Sequence, residues 1–161
     1  MGEYAVSAET IDGTGMRFAI AVSRFNEDIT GPLLEGARRT FRDRGVRDDD
    51  ITLVQVPGAF ELPLIAQHLA RSGTVDGVVC LGAVIRGDTP HFEFVAGEAA
   101  RGLQEAALAT GVPVVFGILT TNTHEQAVDR IGGSEGHKGE EAAATALEMV
   151  ALLASLPPVL G

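Results

Sequence analysis

One strand pattern in this chain, residues 77–85 (GVVCLGAVI), is apolar from end to end. Unbroken apolarity is typical of a parallel strand that is covered on both faces, because a strand with one wet face would alternate. Three further strand patterns, at residues 17–23, 51–56 and 113–119, alternate with segments of helical periodicity. The sequence therefore predicts a three-layer α/β sandwich, with a four-stranded parallel sheet and helices on both faces.

Helical spacing of apolar residues follows each strand pattern. The stripes of the first three helices include Leu33, Ala37 and Phe41; Leu62, Ala66 and Leu69; and Phe92, Val95 and Leu103. Thr123 and Gln126 resemble a capping box and predict a short helix that extends to about residue 131. A glycine-rich link over residues 132–139 then leads to a final helix over residues 140–153.

The length of 161 residues fits one domain with a sizeable core. We expect a single domain over residues 17–161, preceded by an N-terminal arm over residues 1–16. Tyr4 and Val6 give the arm a short alternating pattern. Such a strand could pair with the sheet edge of a neighbouring chain, or it could be a frayed terminus.

Acidic residues outnumber basic ones, 22 Asp and Glu against 12 Lys and Arg, for a net charge of -10. This balance argues against a nucleic-acid or membrane partner, because both need a basic surface. Residues 1–16 lack the pattern of a signal peptide, and no apolar run is long enough to span a bilayer. The single Cys80 cannot form an internal disulfide. We expect it to pack in the core of a cytoplasmic protein.

Four loops follow the carboxyl ends of the predicted strands, at residues 23–26, 57–61, 86–91 and 120–123. Ligands of open parallel sheets bind beyond these strand ends. The most informative residues of the chain fall on this edge of the sheet, so we expect the functional site there.

The loop over residues 86–91 combines the features of an anion site and a proton carrier. Gly87 allows a tight turn, Thr89 can cap the next helix, and Pro90 suits the first helical position. The free amides at that helix start can hold a phosphate, and His91 can move protons near neutral pH. This arrangement suggests an enzyme acting on a small phosphorylated compound. An ordinary helix start with a surface histidine is the alternative.

No motif in the sequence indicates a metal site. His124 and Glu125 resemble the start of HExxH, but Val128 occupies the position of the second histidine. The remaining histidines lack the spacing of metal ligands. Neither a dinucleotide fingerprint nor a P-loop is present.

Five ordered motifs, most of them on this edge, resemble those of lumazine synthase. They are SRFN (23–26), PGAFELP (57–63), GAVIRGDTPHFEF (82–94), FGILTTNTHEQAVDRIG (116–132) and GHKGEEAA (136–143). The resemblance covers residues 17–153, nearly the whole chain, and implies the flavodoxin-like form of the sandwich.

The lumazine synthase family condenses 5-amino-6-(D-ribitylamino)uracil with 3,4-dihydroxy-2-butanone 4-phosphate. The products are 6,7-dimethyl-8-ribityllumazine, phosphate and water, in the penultimate step of riboflavin biosynthesis. The resemblance implies a transferase of this kind without metal or organic cofactor. An imine forms, phosphate is eliminated and the ring closes with loss of water. Since each step moves protons, a positioned histidine and two oriented substrates could supply most of the rate.

The resemblance also implies which residues bind the pyrimidine and its ribityl chain. Phe25 would stack on the ring, Glu61 would accept hydrogen bonds from ribityl hydroxyls, and residues 83–85 would contribute backbone groups. The implied set is Phe25, Asn26, Ala59, Phe60, Glu61, Ala83, Val84, Ile85 and Phe116. Two alternatives stay open: Phe25 as a strand-end core aromatic, and Glu61 as a first-turn acid that favours the helix dipole.

The resemblance also implies which residues bind the phosphate and which residue transfers protons. The implied phosphate-binding residues are Gly87, Asp88, Thr89, Arg130 and Lys138. We expect the carboxylate of Asp88 to point away from the phosphate, and the forked guanidinium of Arg130 to pair with it. A cation near a helix C-terminus is the alternative for Arg130. His91 would be the catalytic proton carrier.

The resemblance implies an active site between subunits, to which the neighbouring subunit would contribute Phe116, Arg130 and Lys138. A monomer would then be inactive. The family forms pentamers, and in many bacteria twelve pentamers close into a 60-subunit icosahedral shell. The short link over residues 130–138 favours the shell, and the N-terminal arm would pair with a neighbour. Riboflavin synthase is a candidate partner.

One residue departs from the family pattern: His137 stands where Asn, Asp or Glu is commoner. Three other functional classes are alternatives to the enzyme: a flavin- or lumazine-binding module, a structural shell protein and a phosphoacceptor receiver domain. A binding module would not need His91 together with Arg130, and a receiver domain needs an acceptor Asp at a strand end. Sequence alone does not separate the shell protein from the enzyme.

Overall fold

The central sheet has the predicted parallel arrangement. The computed structural model describes residues 1–160. Its four-stranded sheet has the order β2-β1-β3-β4, and all its neighbouring strands pair in parallel. The strands are β1 (Phe18–Ser23), β2 (Ile51–Val56), β3 (Gly77–Ile85) and β4 (Val114–Thr121). The apolar β3 lies inside the sheet and is buried over nearly its whole length, as its composition predicts.

Helices cover both faces of the sheet, which confirms the three-layer sandwich. The helices are α1 (Glu27–Asp43), α2 (Leu62–Arg71), α3 (His91–Thr110), α4 (His124–Val128) and α5 (Lys138–Ser155). The side chains of β1 alternate between the layers: Phe18 and Ile20 join the core with α1 and α5, whereas Ala19 and Ala21 join the core with α2 and α3. None of the described helices is long and apolar enough to cross a membrane.

Cys80 has the packing role that its sequence context predicts. The residue is fully buried in β3, in the core below α2 and α3. Burial raises the pKa of the thiol to about 12, since the apolar surroundings disfavour the thiolate. At neutral pH Cys80 therefore behaves as a small apolar side chain.

The segment between α4 and α5 differs from the prediction. The short fourth helix ends at Val128 rather than near residue 131, although its Thr123–Gln126 capping box is present as expected. The link expected over residues 132–139 contains an antiparallel hairpin of β5 (Ile131–Gly133) and β6 (Gly136–His137). Two glycines with positive φ, Gly132 and Gly136, allow the chain to turn this tightly.

The structure explains why a histidine can stand at position 137, where Asn, Asp or Glu is commoner in the family pattern. Helix α5 begins at Lys138, two residues earlier than predicted, because His137 caps it: the backbone N–H of Glu140 donates to Nδ1 of His137 at 3.3 Å. The imidazole also packs on Gly36 of α1, where a Cβ atom would lie 2.0 Å from its Cε1. His137 thus performs the N-cap role that Asn or Asp commonly performs.

The N-terminal arm forms no strand within residues 1–16. It is attached to the domain at two points: the N–H of Ala8 donates to Oε1 of Glu148 at 3.0 Å, and the N–H of Gly13 donates to the carbonyl of Arg44 at 2.6 Å. Tyr4 is exposed. Pairing of the arm with a neighbouring chain stays a prediction.

Candidate active site

The loops at the carboxyl edge of the sheet enclose a cleft of about 710 Å³. It lies between the ends of β1, β2 and β3 and the first turn of α3. The predicted site residues in its wall are Phe25, Ala59, Phe60, Glu61, Ala83, Val84, Ile85, Gly87, Thr89 and His91. The cleft therefore lies at the edge of the sheet where the sequence predicts the site.

The loop after β1 holds an aromatic ring at the mouth of this cleft. Phe25 is 71% exposed, which rules out the alternative of a strand-end core residue. The next residue, Asn26, adopts the left-handed conformation with φ 60°, and its Nδ2 donates to the carbonyl of Ala83 at 3.0 Å. This hydrogen bond ties the end of β1 to the end of β3, so the loop that carries Phe25 is anchored to the sheet.

The loop after β2 contributes a second exposed ring and a carboxylate. Phe60, which is 57% exposed, lies in the short helical turn Ala59–Glu61. Oε2 of Glu61 accepts a hydrogen bond from the backbone N–H of Gly58 at 3.0 Å. Its Oε1 has no hydrogen-bond partner within residues 1–160. The structural role at the helix start and the predicted role toward ribityl hydroxyls are therefore compatible.

The loop after β3 brings the predicted phosphate residues to the same cleft. Oγ1 of Thr89 accepts a long hydrogen bond from the backbone N–H of His91 at 3.4 Å, but Pro90, not Thr89 as predicted, occupies the N-cap position of α3. The helix begins at His91, one residue later than predicted, and Pro90 precedes it. Gly87, Thr89 and His91 line the cleft. Asp88 is exposed and is absent from the cleft wall, as its expected orientation requires.

The remaining predicted residues do not meet this cleft. Phe116 and Lys138 line a second concavity of about 700 Å³, formed by β4, α5 and the C-terminal half of α3. Phe116 is 46% exposed there. Nζ of Lys138 contacts Oε2 of Glu141 at 2.8 Å. One chain therefore carries two separate concave surfaces, and those predicted site residues that line a concavity are divided between them.

Arg130 lies beside Lys138 because of the hairpin. The backbone N–H of Lys138 donates to the carbonyl of Arg130 at 2.8 Å. The guanidinium of Arg130 donates to the carbonyl of Gln126 at 2.9 Å, and the residue is half-buried. This contact agrees with the alternative of a cation at a helix C-terminus. It leaves further guanidinium donors available for an anion.

Phe94 and Arg86, which lie in or beside the cleft, were not among the predicted site residues. Phe94 lines the cleft and is 67% exposed; an aromatic residue outside the apolar stripe of α3 was the available signal. Arg86, directly after β3, bonds to the side chains of Glu93 and Asn122. The hydrogen bond from Arg86 holds the pKa of the Glu93 carboxyl below its ordinary value. Residues 1–160 contain no group of three His, Cys, Asp or Glu side chains that could hold a metal ion.

Comparison with known proteins gives a consistent result. The family model described as 6,7-dimethyl-8-ribityllumazine synthase matches residues 15–154. Two similar curated proteins are the 6,7-dimethyl-8-ribityllumazine synthases of two strains of Thermus thermophilus. Each is 56% identical to this chain over 142 residues, which cover 88% of this chain and 90% of the relative.

Proposed function

This chain belongs to the 6,7-dimethyl-8-ribityllumazine synthase family, and we propose that its edge cleft carries the family's reaction with His91 as proton carrier. The enzyme condenses 5-amino-6-(D-ribitylamino)uracil with 3,4-dihydroxy-2-butanone 4-phosphate in riboflavin biosynthesis. Such a site must hold a flat ring, hold a phosphate and transfer protons between the two substrates.

The pyrimidine is bound between an exposed ring and the strand ends. Phe25 offers a free aromatic face for stacking, anchored through the hydrogen bond between Asn26 and Ala83. Residues 83–85 form the wall of the cleft and offer their backbone groups to the ring edge. Ala59, Phe60 and Glu61 adjoin them and receive the ribityl chain. An apolar cleft with few polar groups suits such a ligand.

The phosphate lies at the start of α3. This helix has 20 residues, and the amides of its first turn together with Gly87 and Thr89 form an anion site. The overall charge of -10 opposes an anionic substrate, so the site needs local cations. Arg130 and Lys138 supply them, but on the same chain they lie away from this cleft: Lys138 lines the second concavity, and Arg130 is its hydrogen-bonded neighbour.

The site is completed by a second copy of the chain. Each subunit offers its cleft to one neighbour and its second concavity, with Phe116 and Lys138, to the other. Such a head-to-tail contact closes into a ring, here a pentamer. Twelve pentamers form a 60-subunit shell, to which the arm over residues 1–16 adds its contact with a neighbour. We also propose a cytoplasmic location and association with riboflavin synthase.

His91 moves the protons of the condensation. It follows the phosphate loop directly, and its side chain lines the cleft beside Thr89. The attacking amine must lose protons as the imine forms, and the substrate must lose a proton as phosphate is eliminated. A neutral imidazole accepts such a proton and later returns it. The observation that carries the proposal is this meeting of His91, the phosphate loop and the exposed Phe25 in one cleft.

Replacing His91 by alanine tests this role. With both substrates present, fluorescence of the lumazine product should show that the wild-type protein accelerates the condensation. His91→Ala should lower kcat by about a hundredfold, the lower end of what general acid–base catalysis contributes. Assembly should be unchanged, because His91 is exposed and makes no side-chain hydrogen bond within residues 1–160.

His68→Ala is the matched control, since His68 is exposed on α2 and does not line the cleft. Its kcat should equal that of the wild-type enzyme. Unaltered turnover in a correctly assembled His91→Ala protein would remove His91 from the mechanism.

A further inference from the structure

Arg86 makes an unusual number of side-chain contacts for an exposed residue. It directly follows β3, at the first position of the loop that leads to His91. Its Nε donates to Oδ1 of Asn122 at 2.9 Å, and its NH1 group contacts Oε1 of Glu93. Its Cζ atom lies 4.3 Å from the centre of the Phe92 ring, in a cation–π contact. All these partners come from the first turn of α3 or the loop after β4.

Two of these partners flank the proposed proton carrier. Phe92 and Glu93 are the two residues after His91, and Phe92 also lines the cleft. Through Glu93 and Phe92 the guanidinium fixes the first turn of α3 relative to the end of β3. Through Asn122 it fixes that turn to the loop after β4. The backbone N–H of Arg86 also donates to the carbonyl of Thr121, the last residue of β4, at 2.9 Å.

We propose that Arg86 is a positioning residue for the condensation: its guanidinium holds the first turn of α3, and with it His91 and the phosphate loop, in the reactive geometry. This inference rests on the proposed role of His91. Proton transfer and anion binding depend steeply on distance, so a small rotation of this turn would slow the reaction.

Direct binding of the phosphate is the competing role for Arg86. The structure favours positioning, because the guanidinium is already occupied by Asn122, Glu93 and the face of Phe92. The carboxylate of Glu93 neutralises its charge. Arg86 is also absent from the cleft wall, whereas Gly87 and Thr89 line it.

Stability and catalysis should respond differently to loss of this contact. The Arg86 and Glu93 side chains are both exposed, and exposed ion pairs contribute little to the stability of a fold. If these contacts served only the stability of the fold, loss of the Arg86 guanidinium would therefore leave kcat unchanged. A positioning role lowers kcat while Tm, assembly and the KM for the pyrimidine stay close to the wild-type values.

Arg86→Met tests the proposal, because methionine keeps an unbranched stem on Phe92 but loses the guanidinium. We expect kcat to fall about tenfold to a hundredfold, with the KM for the pyrimidine within about twofold of wild type. Glu93→Gln should change kcat in the same direction, since it weakens the same contact and removes no cation. The double variant should be no slower than the slower single variant. Arg86→Lys should restore part of kcat.

Arg101→Met is the matched control. Arg101 also contacts two carboxylates of α3, those of Glu98 and Glu105, but it does not line the cleft. Its kcat should equal that of the wild type. Should Arg101→Met slow turnover as much as Arg86→Met, the effect would belong to any lost ion pair on α3, and the proposal would be overturned.

Other results would also overturn the proposal. An Arg86→Met protein with the kcat of the wild type would overturn it. The proposal would also fail if Arg86→Met raised only the KM for the butanone phosphate and Glu93→Gln had wild-type kinetics. Arg86 would then be a phosphate ligand. The His91→Ala experiment separates failure of the His91 role from failure of the Arg86 role. If His91→Ala lowers kcat and Arg86→Met does not, only the positioning role of Arg86 fails.

Discussion

Replacing Arg130 by alanine is expected to lower kcat/KM for 3,4-dihydroxy-2-butanone 4-phosphate by about a hundredfold, whereas binding of the pyrimidine changes little. A charge-assisted hydrogen bond contributes ~1.5–3 kcal/mol, and a forked guanidinium makes two such bonds to a phosphate. The chain has a net charge of -10, so little other positive charge replaces the lost one. The Arg130 side chain makes only the one hydrogen bond to Gln126 within residues 1–160, which limits the effect on the fold.

Initial rates at varied concentrations of each substrate measure this effect, and light scattering or native mass spectrometry checks the assembly. The kcat/KM of Arg130→Lys for the butanone phosphate should lie between those of the alanine variant and the wild type, because lysine keeps the charge but lacks the forked guanidinium. Arg71→Ala is the control, because Arg71 is an exposed arginine in the last turn of α2. Its kcat/KM should equal that of the wild type. Equal losses for both substrates would contradict a specific phosphate contact and point to a broken interface.

Replacing Gly139 by alanine is expected to destabilise the fold by at least about 3 kcal/mol, the upper end of ordinary overpacking. Gly139 is buried in the first turn of α5, where this helix crosses α1. A Cβ atom there would lie 2.1 Å from the carbonyl oxygen of Leu33 and 2.8 Å from its carbonyl carbon. Because these are backbone atoms of a helix, no side-chain rotation relieves the collision, and α5 must move away from α1.

Denaturant unfolding of the purified protein measures this change in the free energy of unfolding. Gly97→Ala is the matched control, because Gly97 lies in α3 with nothing within 4 Å of its Cβ position. Alanine there should stabilise the helix by up to about 1 kcal/mol. A Gly139→Ala protein as stable as the wild type would mean that the two helices are not packed as closely as the structure shows.

Much of the fold could be predicted because the strands carry strong local signals. The apolar run of β3 fixed its bounds at Gly77–Ile85, and the bounds of β2 were also correct. The hairpin of β5 and β6 escaped prediction because strands of three and two residues have no periodicity to detect. The start of α5 escaped it because histidine is not among the common N-cap residues.

The candidate site was predictable to the extent that it depends on strand ends. Phe25, Thr89 and His91 lie within six residues of the ends of β1 and β3, so the parallel topology brings them to the same edge of the sheet. Arg86 escaped prediction because Asn122 is 36 residues away in sequence, and only the pairing of β3 with β4 makes them neighbours. The distribution of the predicted site residues over two concavities is likewise a property of the folded chain, since periodicity does not reveal which concavity a residue faces.

Mixed assemblies of the two slowest variants would show whether each active site is shared between two subunits. One chain would carry His91→Ala and the other Arg130→Ala, unfolded together and reassembled at equal amounts, with each variant treated alone as control. In a ring where every site takes His91 from one subunit and Arg130 from its neighbour, about one site in four is then intact. With shared sites, the activity of the mixed assemblies should rise well above that of both parents, toward about a quarter of the wild-type value. Activity equal to the mean of the parents, in assemblies that mass spectrometry shows to be mixed, would place both residues in one subunit's site and contradict it.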